Sequence, residues 1–197
     1  MENSKKTLVV ATGNLHKLRE ISEIFPEYHV ISQKEAGFNV DVAETGLTFS
    51  ENAVIKAKAA CKALNMPVIA DDSGLCVEAL NGAPGVYSAR YAGEHGNDRA
   101  NRALLLKNLQ EKTDKSAYFE CALALVAPNK EPILVSGRTY GKILNEEEGT
   151  GGFGYDPIFF SDDLKKSFGL ATAEEKNGVS HRYRALMQLK EVLGGEL

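Results

Sequence analysis

Residues 48–75 read TFSENAVIKAKAACKALNMPVIADDSGL, and the fold class turns on how this stretch divides. Thr48 followed at the third position by Glu51 is a capping-box pattern, which starts a helix at about Phe49. The helix runs to about Leu64, is closed by Asn65 and is stopped by Pro67. Val68-Ile69-Ala70 then reads as a short buried strand, with Asp71-Asp72-Ser73-Gly74 as the turn at its C-terminal end. A helix leading into a short apolar strand is the unit of an α/β sheet, and open α/β sheets place ligands beyond the carboxyl ends of their strands.

Working outward, Thr7 to Ala11 is a β-rich apolar run punctuated by Thr12-Gly13-Asn14. Leu15, Leu18, Ile21, Ile24 and Phe25 follow at helical spacing. Asn97 or Asp98 caps a helix running to about Leu109. The period then changes. Ala117 to Ala127 and Ile133 to Tyr140 alternate like strands around Pro128-Asn129-Lys130-Glu131-Pro132, which predicts an antiparallel hairpin. Pro157 to Phe160 reads as a further strand, and Ser180 caps a last helix reaching about Leu193. Helices alternating with strands, interrupted by a hairpin, predict an α/β fold around a mixed sheet.

Three cations stand out, two of them where helix periodicity predicts burial. Lys17 sits in the first turn after Thr12-Gly13-Asn14, where unpaired N–H groups and the helix dipole favour an anion. At 100° per residue, Phe49, Ala53, Ala60, Ala63 and Leu64 share one arc, while Glu51, Lys58 and Lys62 face away from it. Lys56 falls inside the apolar arc, with Asn52 one turn earlier at its edge. A lysine there either snorkels to water or meets an anion; the small alanines around it leave room for a ligand. On this reading Lys56→Met leaves the fold intact or more stable. Ala185, Leu186, Leu189, Val192 and Leu193 form the arc of the last helix, and Arg182 projects with them from a first turn whose dipole opposes its charge.

Asp71 and Asp72 are adjacent acids, which repel unless a cation or hydrogen bonds stabilise them. Successive residues of an extended chain point apart, so one of the two faces any shared centre. Mg²⁺ held by one or two carboxylates and phosphate oxygens suits such a pair, and Glu44 in the Glu44-Thr45-Gly46 turn can supply a second carboxylate.

Several familiar motifs fail. Gly149-Thr150-Gly151-Gly152-Phe153-Gly154 matches GxGxxG, but Glu146-Glu147-Glu148 precedes it and Tyr155-Asp156-Pro157 follows, so it lacks the strand and helix of a dinucleotide site. No GxxxxGK[ST] or GxSxG occurs, and His16, His29, His95 and His181 have no zinc-site spacing. Over 197 residues, 43% hydrophobic and 25% charged composition is that of a globular chain, in which folding buries roughly 70% of the surface. With 23 Lys plus Arg and 27 Asp plus Glu, the net charge of −4 is unlike that of a general nucleic-acid binder. The apolar run Cys121 to Ala127 is far below the ~20 residues of a membrane span, and Leu8 to Ala11 after Lys5 and Lys6 is too short for a signal peptide. Cys61, Cys76 and Cys121 form no CxxC, which points to reduced, structural thiols and a cytoplasmic location.

The chain resembles the inosine triphosphate pyrophosphatase family. The matching segments are Thr12-Gly13-Asn14 with Lys17, Glu44-Thr45-Gly46-Leu47-Thr48-Phe49 with Glu51-Asn52-Ala53 and Lys56, and Ala70 to Leu75. They continue with Gly82-Ala83-Pro84-Gly85, Tyr87 to Tyr91, the run Gly149 to Phe160, and Lys176 with Ser180-His181-Arg182. His16 departs from the small residue many members carry there. The resemblance implies one domain over residues 1–197, an elongated two-lobed α/β fold around a long mixed β-sheet with the nucleotide in a central cleft, and a homodimer. It implies Mg²⁺-dependent hydrolysis of ITP, dITP and XTP to the monophosphate and pyrophosphate, without nucleic-acid or membrane partners. Glu44 and Asp72 match metal ligands, and Asp72 also matches the proton acceptor, with Lys56 beside it on the catalytic side. Thr12, Gly13, Asn14, Leu15, His16, Lys17 and Ser73 match triphosphate-side positions; Phe153, Gly154, Tyr155, Asp156, Lys176, His181 and Arg182 match base- and sugar-side positions. A haloacid-dehalogenase-like phosphatase needs an acid two residues after its nucleophilic aspartate, where Ser73 stands after Asp71. A non-catalytic nucleotide sensor would need no base.

Overall fold

The computed structural model describes residues 5–194. A strand β1 (Thr7–Val10) leads into helix α1 (Leu15–Ile24), strand β2 (His29–Ser32) and helix α2 (Phe49–Leu64). Strand β3 (Val68–Val77), helix α3 (Asp98–Asn108), and strands β4 (Ser116–Val126) and β5 (Ile133–Ile143) follow. Strands β6 (Phe159–Ser161) and β7 (Lys166–Ser167) and helices α4 (Ala173–Val179) and α5 (His181–Val192) complete the order. The strands form one seven-stranded sheet in the order β2-β1-β3-β4-β5-β6-β7. β1 pairs in parallel with β2 and with β3, while β6 pairs antiparallel with β5 and β7, so the sheet is mixed as the sequence predicts. The Ile143 N–H donates to the Lys115 carbonyl at 2.9 Å, at the far end from the 127–132 connection, as the expected hairpin requires.

The largest departure from the sequence reading is β3. It does not end at Ala70 but runs on to Val77, so Asp71 and Asp72 lie inside a ten-residue strand rather than in a turn after it. Leu75, Cys76 and Val77 are buried and continue the apolar run through Gly74, and that burial outweighs the turn propensity of Asp-Asp-Ser-Gly. Strand β2 and helix α4 also appear where no element was expected, although Thr172 and Glu175 form a second complete capping box at the start of α4. Pro157 lies in a 3₁₀ turn, Asp156–Ile158, and the strand after it begins at Phe159. Proline lacks the ladder N–H, which favours that shift.

Contacts divide the chain into two compact units. One comprises the chain through Asp72, Ala122–Ser136, and Ala185 onward. Its core sets Ala53, Ala57, Ala60 and Cys61 of α2 against Val9, Ala11, Val68 and Ala70. The buried stripe of α2 is therefore Phe49-Asn52-Ala53-Ala57-Ala60-Cys61, rotated from the expected arc; Ala63 is exposed and Lys56 borders the stripe. Alanines let the helix backbone sit close to the sheet. The second unit comprises Ser73–Cys121 and Gly137–Arg184 and is built on larger side chains. Phe119 and Phe159 have ring centroids 4.7 Å apart, Phe159 and Phe168 5.1 Å apart, and Leu105 of α3 and Leu109, which caps that helix, join them. All three cysteines are buried and no disulfide links them. Among the described residues no helix is long and apolar enough to cross a membrane.

The α2 capping box has both its bonds: Glu51 N–H to Thr48 Oγ1 and Thr48 N–H to Glu51 Oε2, each at 3.2 Å. Thr48→Ala removes the first and should lower the unfolding free energy by about 1 kcal/mol, read as a shift of the urea midpoint without a change in slope.

Candidate functional site

In the first unit the acidic pair is resolved by two lysines from two helices. Asp71 and Asp72 point to opposite sides of β3, as adjacent strand residues must. Lys17, from the first turn of α1, places Nζ 3.0 Å from Asp71 Oδ2. Lys56, from α2, places Nζ 3.3 Å from Asp72 Oδ1 and 2.6 Å from Glu44 Oε1. Burial pushes the Asp72 carboxyl above the ordinary carboxylate range, although Lys56 and Lys17 pull it back. Burial alone would lower the Lys56 ammonium, yet the charges of Asp72, Asp71 and Glu44 outweigh it and hold it above its ordinary value.

The anion that a lysine in this arc requires is therefore supplied by the protein's own carboxylates. That revises one expectation from the sequence. Replacing Lys56 by Met leaves two acids facing each other across a half-buried gap, which is destabilising rather than neutral.

Asn52 was noted from the sequence only as the edge of an arc, and the structure makes it the keystone of this group. It is completely buried; its Oδ1 accepts the Gly46 N–H at 2.8 Å and its Nδ2 donates to Asp72 Oδ2 at 3.2 Å. The amide thus ties the turn carrying Glu44 to the strand carrying Asp72. Gly46 is required by this approach, since a Cβ there would lie 2.7 Å from Asn52 Oδ1 and 2.6 Å from Glu51 Cβ. A polar residue recurring inside an apolar stripe, at i−4 from Lys56, was the signal available in the sequence.

The α1 entry is capped from within. Asn14 Oδ1 accepts the His16 and Lys17 N–H groups at 2.9 and 3.2 Å, and Thr12 Oγ1 accepts the Asn14 N–H at 3.1 Å. The donors expected to meet an anion are thus satisfied here by the cap. Gly13, Leu15 and His16 are exposed.

The other sequence-assigned residues lie in the second unit. Lys176, on α4, is buried and ion-paired to Asp156 at 2.7 Å, with its Nζ 4.6 Å from the Phe153 ring centroid. Asp156 Oδ2 also accepts the Phe153 N–H at 2.8 Å. Gly152, at φ +72°, has no room for a side chain, because a Cβ would lie 2.1 Å from that oxygen. Tyr155 is buried and donates its hydroxyl to the Ser88 carbonyl at 2.8 Å; burial pushes its phenol well up. Arg182 is fully buried and donates to Ser73 Oγ at 3.1 Å, and His181 stacks on Phe119 with centroids 5.0 Å apart. Ser180 caps α5 through the Tyr183 N–H at 3.1 Å, as read from the sequence.

Glu44 and Asp72 offer carboxylate oxygens gathered around one positive charge, Lys56, and such oxygens suit a hard divalent cation that completes its shell with water and phosphate. No group of three His, Cys, Asp or Glu side chains is placed to enclose an ion among the described residues.

Comparison with known proteins gives the family of the chain. The family model described as "Ham1 family" matches residues 8–192. The dITP/XTP pyrophosphatase of Staphylococcus aureus is 47% identical over 97% of this chain and 98% of its own. That of Clostridium perfringens is 46% identical over 98% of this chain and 99% of its own. The solved structure of the S. aureus Ham1 protein superposes with a TM-score of 0.88 at 47% identity, covering 98% of this chain and all of that one.

The Lys56 geometry sets a testable pH dependence. Its ammonium is held above its ordinary pKa, so its charge is fully present at neutral pH and is lost as pH rises through the folded value. Lys56→Met should lower stability by about 2 kcal/mol at pH 7, less than a fully buried pair because Glu44 is 28% exposed. The deficit should shrink as pH falls through the carboxylate range, where protonated Asp72 and Glu44 no longer repel. Denaturant titrations at pH 4.5 and 7 measure the difference.

Proposed function

The chain belongs to the Ham1 family, and from that premise we propose that it hydrolyses non-standard purine nucleoside triphosphates (ITP, dITP, XTP) to the monophosphate and pyrophosphate. The observation that carries the reading is Lys56 held between Glu44 and Asp72, a charge arrangement suited to a triphosphate and a hard cation.

In the proposed mechanism Asp72 is the base. Its carboxylate is held at the site by Asn52 and Lys56, where it can accept a proton from the attacking water. The water attacks the α-phosphorus in line, and the bond to the β-phosphate bridging oxygen breaks. Lys56 neutralises charge on the departing pyrophosphate, the electrostatic task that dominates phosphoryl chemistry. Lys17 and the Asn14-capped turn hold the outer phosphates, with Thr12, Gly13, Leu15, His16 and Ser73 around them. Glu44 and Asp72 would hold Mg²⁺, which when bound adds positive charge to the phosphate oxygens and acidifies water. Asp71, ion-paired to Lys17, orients that lysine and supports the site from outside.

Phe153, Gly154, Tyr155, Asp156, Lys176, His181 and Arg182 serve the base and sugar. Lys176 and Arg182 are buried cations that can donate to the 6-carbonyl of hypoxanthine or xanthine. Adenine presents an amino donor there and leaves a buried donor unmatched, a type of mismatch that discriminates strongly. The whole chain is taken as one domain acting in the cytoplasm as a homodimer.

Purified protein with Mg²⁺ and ITP should release pyrophosphate and IMP and turn over ATP far more slowly. Orthophosphate as the first product would indicate a phosphatase, and no product a sensor; equal ITP and ATP rates would refute the 6-carbonyl readout. The adjacent acids separate in the same assay. Asp72→Asn should lower kcat by ~10²–10⁴. Asp71→Asn should lower kcat less and shift the Mg²⁺ dependence instead. An Asp71→Asn enzyme that is the less active of the two at saturating Mg²⁺ would move the base to Asp71.

A further inference from the structure

Helix α3 carries none of the residues assigned so far, yet two of its side chains hold the Gly149–Gly154 loop. Asp98 Oδ2 accepts the Gly154 N–H at 2.8 Å. One helical turn on, Arg102 Nη1 donates to the Gly154 carbonyl at 2.7 Å. The same guanidinium donates through Nε and Nη2 to Glu147 at 2.7 and 3.4 Å. One planar fork thus joins both ends of the segment from Glu147 to Gly154, and α3 grips the N–H and the C=O of a single residue.

That grip acts on a loop poorly restrained by its own sequence. Gly149, Gly152 and Gly154 have φ of +83°, +72° and +61°, conformations glycine reaches at low cost and leaves as readily. Phe153 lies between two fixed points, the clamped Gly154 and the Asp156 carboxylate that accepts its own N–H. The Phe153 ring, 4.6 Å from the Lys176 ammonium, therefore inherits its position from α3 on one side and from Asp156 on the other.

We propose that Asp98 and Arg102 are positioning residues for purine selection: they fix the Gly154 peptide and, through it, Phe153 beside Lys176. The proposal rests on assigning Phe153 to Asp156 and Lys176 to the base. Neither α3 residue touches substrate; each acts through the loop. A displacement of about 1 Å in a group that orients substrate can lower efficiency ~100-fold, so loss of the clamp is read as lost discrimination.

The test compares wild type, Arg102→Met, Arg102→Lys and Asp98→Ala on ITP and ATP with Mg²⁺, alongside amide hydrogen exchange of residues 149–156 and thermal melting. Arg102→Met should raise KM for ITP about tenfold with kcat changed by less than about threefold, and reduce the ITP-over-ATP ratio of kcat/KM by at least about fivefold. Its Phe153 and Gly154 amides should exchange faster. Arg102→Lys keeps the charge but not the fork, so it should lose selectivity nearly as far. Asp98→Ala removes the acceptor of the Gly154 N–H and should lower the ITP-over-ATP ratio in the same direction; an unchanged ratio there would overturn its part in the clamp. A retained selectivity ratio in both Arg102 variants, or a fall in kcat at constant KM, would overturn the proposal. Wild-type protein that does not prefer ITP would instead overturn the assignment of the loop to the base, and the exchange data would still decide whether α3 holds it.

Discussion

Two adjacent aspartates in the middle of a buried strand are tolerable only if each has its own cation. β3 meets that condition by directing Asp71 to Lys17 and Asp72 to Lys56, from two helices that both precede it in sequence. Much of the first unit follows from this. α2 must approach closely enough for Lys56 and Asn52 to reach the strand, which explains a buried stripe made largely of alanine. The turn before α2 must come within reach of Asn52, which explains Gly46. Removing one member of such a network leaves a charge without its partner, so the group stands or falls together.

The second unit solves the burial of charge differently. Lys176 and Asp156 form a single pair among aromatic rings, with Phe153 and Phe168 both near the ammonium. Arg182 is buried without any exposed surface and is held in part by Ser73. The proposed roles follow these two environments: a pair embedded in rings suits a flat, polar-edged group, and the lysine–carboxylate group of the first unit suits a charged one.

Long periodic segments were legible in the sequence: α2 from its capping box, the β4–β5 hairpin from alternation, and the mixed sheet from their succession. The inward charges Lys56 and Arg182 were legible too, because a cation on an apolar helix face conflicts with local preference, and Lys17 was legible from its place in a first helical turn. What failed was wherever tertiary burial overrides turn chemistry. Asp-Asp-Ser-Gly carries strong turn propensity, yet β3 passes straight through it because pairing and the buried Leu75 to Val77 stabilise extension. The four-residue β2 is too short for a period to show, and α4 was missed although Thr172 and Glu175 announce it. Partners distant in sequence were invisible in principle: that Lys56 meets Glu44 and Asp72, or that Asn52 ties Gly46 to Asp72, depends on contacts no spacing encodes.

The proposed attack at the α-phosphorus by the charge group of the first unit is tested directly by the fate of the oxygen from water. ITP hydrolysed in ¹⁸O-enriched water with Mg²⁺ should give IMP carrying one labelled oxygen and pyrophosphate carrying none, read by mass spectrometry. Label in the pyrophosphate, or in orthophosphate released first, would mean attack at another phosphorus and would contradict the roles given to Asp72 and Lys56.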